Sequence, residues 1–321
     1  MNRKDFIKKT AAAGVVLLAG NALASGITNE DTEKMKKNIA FKTRGHRADI
    51  GPIEIYRLVS NNFVDHVGHF VFLDYIPPMM VSEKRLNPEA AHPHRGIATL
   101  TYSLSGEMEH FDSRGHRGTI HSGGVQWMKA GNGIIHNEAP GPDSKTGGKL
   151  MHGFQFWVNL PAVNKKEDPE YLALQSEDLP LVELADNAGA LKVVVGEFEG
   201  QTSKIPTYAQ QYLYHIRLHS GKQLSLPTED GLEFAAFLPQ HNAIINGEAC
   251  FSGDLIGFEN QAGDIVIENS SENEIELILF GGEPYTEPYV AYGPFVMSSM
   301  EEIQQASLDY QSGKYGKMVY N

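Results

Sequence analysis

Four side chains of this 321-residue chain have the types and spacing of a metal centre: His92 and His94, one residue apart, and His136 and Glu138, one residue apart further on. On a β-strand, residues i and i+2 face the same side about 6.6 Å apart along the chain, so each pair can direct both side chains at one point. If the two strands lie side by side inside a barrel, three imidazoles and one carboxylate converge. Such a donor set suits iron(II), manganese, nickel, copper or zinc and disfavours soft-thiolate chemistry. With four protein ligands, a six-coordinate ion keeps two positions open. Either pair taken alone reads more plainly as a surface imidazole beside Pro93 and an edge carboxylate. Taken together, with Gly131 and Gly133 placed for a tight turn into the second pair, they point to a site. Seven of the thirteen histidines (92, 94, 110, 116, 121, 136 and 152) fall within 61 residues around it.

Short runs of alternating apolar and polar residues surround these pairs. Segments 53–59, 69–75, 97–104, 108–111, 124–128, 134–138 and 149–160 read as strands with Gly, Asn, Ser or Pro turns between them. A polar connector over 164–180 leads to a second series at 191–196, 211–218, 233–238, 243–246, 265–267 and 275–280. Many short strands at this spacing argue for barrels or sandwiches. Ser298 or Ser299 followed by Glu301 and Glu302, with Gly313 downstream, predicts a C-terminal helix.

The start of the chain reads differently. Residues 1–24 combine basic residues (Arg3, Lys4, Lys8, Lys9), an apolar run and an Ala22-Leu23-Ala24 cleavage site, the pattern of a secretory signal. Arg3-Lys4 followed by Phe6-Ile7-Lys8 also approaches a twin-arginine signal, with Lys4 as the departure. Residues 25–43 are charged and polar and read as a linker, which leaves 44–163 for a first, metal-binding domain and 164–321 for a second without metal. Removal of residues 1–24 leaves 23 basic and 39 acidic side chains, a formal charge of −16, from the 27 and 40 of the whole chain. A surface this acidic repels nucleic-acid phosphate. No membrane association is expected after signal removal, and the chain is expected to act as a monomer. The single cysteine, Cys250, sits in an apolar run and reads as a small buried thiol.

Longer motifs carry a resemblance. His92-Pro93-His94-Arg95-Gly96, the run from Gln126-Trp127-Met128 to His136 and Glu138, His152-Gly153-Phe154-Gln155-Phe156-Trp157, and Tyr292-Gly293-Pro294-Phe295-Val296-Met297 together resemble the pirin family of the cupin superfamily. The resemblance implies an all-β bicupin, two jelly-roll-like cupin barrels with a C-terminal helix. It implies one non-haem metal, usually iron(II), in the first barrel, held by His92, His94, His136 and Glu138. It also implies quercetin 2,3-dioxygenase activity on a small aromatic, flavonol-like substrate with O2. A carboxylate beside the open metal position is within reach of the substrate hydroxyl, so Glu138 reads as a ligand that only holds the ion or as a ligand that is also the catalytic base. The alternative from another class is a non-catalytic, metal-dependent binding or redox-sensing protein with a protein partner. A third is a different cupin enzyme acting on a carbohydrate or keto acid.

Two departures stand out: Ala98, where the family usually has Glu, removes a possible acid near the ligands, and Ser122-Gly123-Gly124 replaces a Pro-Gly-Asp turn. Among the remaining residues, His110 and Asp112 read as a solvated or pocket-rim pair and His152 as a core histidine. Arg95 reads as a support for Glu138 or a solvent-facing group. Met79, Met80 and Met128 read as packing or as lining of an apolar site, and His215 and His219 as a pair with no glutamate partner. The export reading predicts that the mature protein, recovered from the periplasm or medium, begins near Ser25. Amino-terminal sequencing that finds Met1 on cytoplasmic protein would overturn it.

Overall fold

The strand runs owe their burial to a period of two. Along Ile97–Ser105, Ala98, Leu100 and Tyr102 alternate with Thr99, Thr101 and Ser103. The apolar set packs into one core and the polar set faces the other way. The computed structural model describes residues 35–60, 63–84 and 87–320, so the signal segment and the first part of the linker lie outside it. In chain order the first strands are β1 (Ile39–Thr43), β2 (His46–Arg47), β3 (Tyr56–Val59), β4 (Phe70–Met80), β5 (His92–His94) and β6 (Ile97–Ser105). They continue with β7 (Glu107–Asp112), β8 (Arg117–Ile120), β9 (Val125–Lys129), β10 (Ile134–Gly141), β11 (Leu150–Asn159) and β12 (Glu170–Leu174).

The first barrel closes a seven-stranded sheet, β12-β9-β6-β11-β4-β3-β2, over a four-stranded sheet, β5-β10-β7-β8. The second repeats this design. Its seven-stranded sheet runs β1, Leu255–Phe258, Glu233–Phe237, Ile275–Gly282, Gln211–Leu218, Gly189–Val195 and Leu181–Glu183. Its four-stranded sheet runs Gln223–Thr228, Gly263–Glu268, Ala243–Ile245 and Glu248–Cys250. This is the all-β, two-barrel arrangement expected from the sequence.

The two large sheets share one apolar core. Leu100, Tyr102, Trp127, Phe154 and Phe156 of the first barrel pack in one cluster with Val194, Leu213, Phe237, Ile278 and Phe280 of the second. Phe280 stands edge-on to both Phe70 and Phe156, at 5.4 Å from each. The inside of the second barrel is filled by aliphatic side chains, among them Leu191, Val193, Ile216, Ile245, Ile265, Leu277 and Leu279. Among the described residues no group of three metal-ligating side chains comes together there.

Both ends of the chain cross the expected domain boundaries. The segment read as linker to residue 43 supplies β1, which pairs with Leu255–Phe258 of the second barrel. Its Lys37 is fully buried, with Nζ donating to Leu232 O (3.1 Å) and Thr228 Oγ1 (3.2 Å). The charged composition hid β1 and, two residues before it, a lysine solvated by protein oxygens. Glu170–Leu174, inside the polar connector assigned to the second half, pairs with β9 and extends the first barrel. The C-terminal hairpin Val290–Tyr292 and Phe295–Met297 and helix α1 (Met300–Gln311) also return to the first barrel, where Arg95 bridges Phe295. Helix α1 begins as predicted. Ser299 Oγ accepts from Glu302 N (3.3 Å), and the Glu302 carboxylate accepts from Ser298 N (2.9 Å). No helix among the described residues is long and apolar enough to cross a membrane.

A core shared across both large sheets predicts joint unfolding. Phe156→Ala should cost about 3 to 5 kcal/mol. The chain's two tryptophans, Trp127 and Trp157, lie in the first barrel. Their fluorescence and the far-UV circular dichroism of both barrels should therefore lose structure at the same denaturant concentration. Separated transitions would mean that the barrels fold independently.

Candidate metal centre

β5 and β10 are antiparallel neighbours in a register that sets His136 opposite His92 and Ile134 opposite His94. Two glycines permit this approach. Gly133 has φ +125°, and a Cβ there would come within 2.1 Å of the Tyr315 ring. Gly96, just after His94, has φ +80°, and a Cβ would come within 2.0 Å of Val296 O. Neither place admits a side chain.

The register gathers the three imidazoles. Their ring centroids lie 4.6 to 5.0 Å apart, and one nitrogen from each lies within 4.8 Å of the others. His92 Nδ1 is 2.9 Å from Ala90 O, and His94 Nδ1 is 3.0 Å from Pro294 O. A carbonyl only accepts, so both Nδ1 atoms carry the hydrogen and both Nε2 atoms present lone pairs. His136 Nε2 stands 3.1 Å from His92 Nε2. Two nitrogens bound to one ion at about 2.1 Å stand about 3.0 to 3.4 Å apart at angles between square and tetrahedral, so this spacing fits a shared cation. His94 and His136 are buried, whereas His92 is exposed, so the cluster is open on the His92 side.

Burial first, and then the neighbouring His92 ring, push the His94 pKa down to about 3. Burial and the three surrounding imidazoles hold His136 well below the ordinary histidine value. Both are therefore neutral at pH 7, the form a metal requires. His136 Nδ1 is buried without a hydrogen-bond partner. Trp157 stands edge-on to His94 at 4.9 Å, with Phe72 stacked on its other side at 4.1 Å. The Arg57 guanidinium lies 4.3 Å from the Phe72 ring and forms a two-pronged ion pair with Asp74.

Glu138 follows on β10, half-buried, and reaches across the barrel to the large sheet. Its Oε1 accepts from Thr101 Oγ1 (2.8 Å) and Gln126 Nε2 (2.5 Å), and its Oε2 from Gln155 Nε2 (2.7 Å). It is not in the group whose donor atoms all lie within 4.8 Å. Tyr171 Oη donates to Gln126 Oε1 (3.3 Å) and completes this polar cradle. The sequence reading missed Thr101, Gln126 and Gln155. The signal was present, because each is a polar residue at every second position of a strand whose other face is apolar.

Other expected roles change. His110 and Asp112 are buried rather than on a rim. His110 Nε2 is 3.1 Å from Asp112 Oδ2, His116 Nδ1 is 2.8 Å from the same oxygen, and Tyr171 stacks on His110 at 4.2 Å. Burial raises the Asp112 carboxyl, but the bonds from the two histidines outweigh it and leave the pKa below the usual value. The His110 ring lies 5.5 Å from that of His136 and braces it. Arg95 neither supports Glu138 nor faces solvent, because its guanidinium is paired with Asp309 at 2.7 Å. Ala98 faces the shared core beside Leu100 and Tyr102, so the acid missing there is not a loss to the pocket. Met128 is buried in packing and Met80 is 68% exposed, so neither lines a binding cavity. His152 is a core histidine, 3.1 Å from Tyr75 Oη. His215 does have a glutamate partner: its Nε2 is 3.2 Å from Glu276 and its Nδ1 2.8 Å from Tyr102 Oη, between the barrels.

The pKa shifts of His94 and His136 fix a sign. Both bind a proton in the unfolded chain below about pH 6.5 and stay neutral in the fold. The metal-free protein should therefore lose stability progressively as pH falls from about 6.5 toward 3, with no such loss between pH 7 and 9. Urea titrations across this range check it. His136→Ala, by removing the histidines' mutual burial, should flatten the acid limb and abolish binding of a divalent metal.

The chain has relatives. Residues 53–158 match the Pirin family model and 213–316 match that of the Pirin C-terminal cupin domain. A Pseudomonas aeruginosa protein named "Putative quercetin 2,3-dioxygenase" is 33% identical over 284 residues, 88% of this chain and 99% of its own. A crystal structure of quercetin 2,3-dioxygenase from Acinetobacter baumannii superposes with a TM-score of 0.80 at 27% identity, covering 88% of this chain and 100% of that one. A bacterial pirin from Escherichia coli, solved in complex with nickel(II), shares the fold with a TM-score of 0.55 at 21% identity, over 75% of this chain and 96% of its own. With both halves matched, and relatives spanning nearly its whole described length, this chain is a member of the pirin family with two cupin barrels.

Proposed function

We propose that this protein is a metal-dependent dioxygenase that acts on flavonol-type substrates with O2 outside the cytoplasm. The observation that carries the reading is the cluster of three imidazoles, buried and neutral at His94 and His136 and open to solvent at His92. The names of the similar proteins from Pseudomonas aeruginosa and Acinetobacter baumannii support the substrate class. Residues 1–24 support export.

In this reading His92, His94 and His136 hold one divalent ion, with iron(II) first and manganese, nickel, copper or zinc as alternatives. Glu138, two residues after His136 on the same strand, is the fourth donor. A bound ion supplies a Lewis acid that lowers the pKa of a hydroxyl placed against it. Glu138 takes the proton of that hydroxyl on a carboxylate oxygen, and Thr101, Gln126 and Gln155 hold the carboxylate ready. The Trp157 ring, with Phe72 stacked on it, gives the substrate an apolar wall beside His94.

Aerobic loss of quercetin absorbance, followed with the protein loaded in turn with each of the five metals, tests the reading. At least one metal should support turnover, with consumption of O2. Glu138→Gln keeps the shape but removes the basicity. Reloaded with that metal, it should turn over at least about 100-fold more slowly than the unaltered protein. Activity that returns in proportion to bound metal would reduce Glu138 to a ligand. Metal binding without oxygen consumption, under any of the five, would favour a binding or redox-sensing protein instead.

A further inference from the structure

We propose that the C-terminal segment from Val290 to Tyr320 is part of the metal centre of the first barrel, and that Lys165 and Arg95 are the positioning residues that clamp it there. The inference rests on the reading of His92, His94 and His136 as metal ligands, and it concerns what fixes those ligands.

The hydrogen-bond acceptor that sets the His94 tautomer is Pro294 O, 200 residues away in the chain. Pro294 occupies the turn between the hairpin strands Val290–Tyr292 and Phe295–Met297. Its carbonyl stays in place only if the hairpin is held against the residues just after His94. Three contacts do this. Val296 N donates to Arg95 O at 3.1 Å. Lys165, 1% exposed, donates from one ammonium to Gly96 O (2.7 Å), Val296 O (2.9 Å) and Asn159 Oδ1 (2.5 Å). Arg95 donates to Asp309 Oδ2 of helix α1 at 2.7 Å.

The Lys165 arrangement is specific. An ammonium has three N–H donors, and each is used on a different segment: the turn after His94, the C-terminal hairpin and the end of β11. An apolar replacement of equal length would take this donor from all three acceptors, leaving Gly96 O only the longer bond from Leu160 N at 3.4 Å, and would release the hairpin from that turn.

The same tail holds the other ligand strand on both sides of His136. The residue before it, Ile135, donates its N–H to Ser113 Oγ (3.1 Å), which in turn donates to Tyr315 O. The residue after it, Asn137, donates its side-chain amide to Tyr320 Oη (2.9 Å). Tyr315 also covers Gly133 and donates to Ala306 O of helix α1 (2.8 Å). Groups that orient metal ligands from behind set affinity as well as geometry, and losing one typically weakens binding about 10- to 100-fold.

The test compares Lys165→Met and Asp309→Asn with Lys37→Met in the full mature chain. Lys37 is as deeply buried as Lys165 and also donates to a backbone carbonyl, but it serves the second barrel. Zinc affinity is measured by chelator competition, and the ligand field by electron paramagnetic resonance of the Cu(II)-loaded protein. Lys165→Met should weaken zinc binding about 10- to 100-fold and change the Cu(II) hyperfine splitting. Asp309→Asn should move both in the same direction by less. Lys37→Met should lower the thermal midpoint and leave both unchanged. Wild-type affinity and spectrum in Lys165→Met, or an equal loss in Lys37→Met, would overturn the proposal. Should Lys165→Met not fold, Asp309→Asn decides alone, and an unchanged spectrum there overturns it. A wild-type protein that binds neither zinc nor copper overturns the metal reading first and this inference with it.

Discussion

His92 Nε2 presents a lone pair to His136 Nε2 at 3.1 Å, so a proton or a cation must lie between the two nitrogens. The pairing of His92 with His136 across β5 and β10 creates that situation, and much of the first barrel is arranged around it. Carbonyls of Ala90 and Pro294 take the outward N–H groups of His92 and His94 and turn their other nitrogens inward. Burial keeps His94 and His136 neutral. Trp157 and His110 press on the flanks of the cluster and leave the rings little room to turn away.

The polar interior of the first barrel is affordable because its large sheet is apolar on the other side. Each of β6, β9 and β11 sends one set of side chains into the core shared with the second barrel and the other, Thr101, Gln126 and Gln155, toward Glu138. The second barrel uses the same strand design with aliphatic residues inside. It supplies the first with a rigid apolar partner sheet. Fold and chemistry are thus divided between two copies of one architecture, because a sheet presents two independent faces.

Neither barrel is closed by contiguous chain. β1 belongs to the second barrel although it precedes the first, and the hairpin and helix at the C-terminus lie against the first although they follow the second. Buried lysines mark both returns, Lys37 at one end and Lys165, joined by the half-buried Arg95, at the other. A buried ammonium is stable only with its donors satisfied, so each cation specifies one docking position for the segment it meets.

Period-two alternation, the two spaced pairs of candidate ligands and the glycines between them were legible in the sequence, because they depend on local geometry that residue types dictate. They were enough for strands, for barrels, for the three histidines and for helix α1 with its Ser299 cap. β1 and β12 were not legible, since their charged residues disguise strands whose burial comes from partners far along the chain. The role of Arg95 depended on Asp309, 214 residues away, and that of His215 on Glu276 of a neighbouring strand. The sequence alone determined which residues have the chemistry of a site and which strands carry them. Tertiary structure decided what lies behind each histidine of the cluster, because the partners of a buried polar group are set by closure of the chain in space and not by spacing along it.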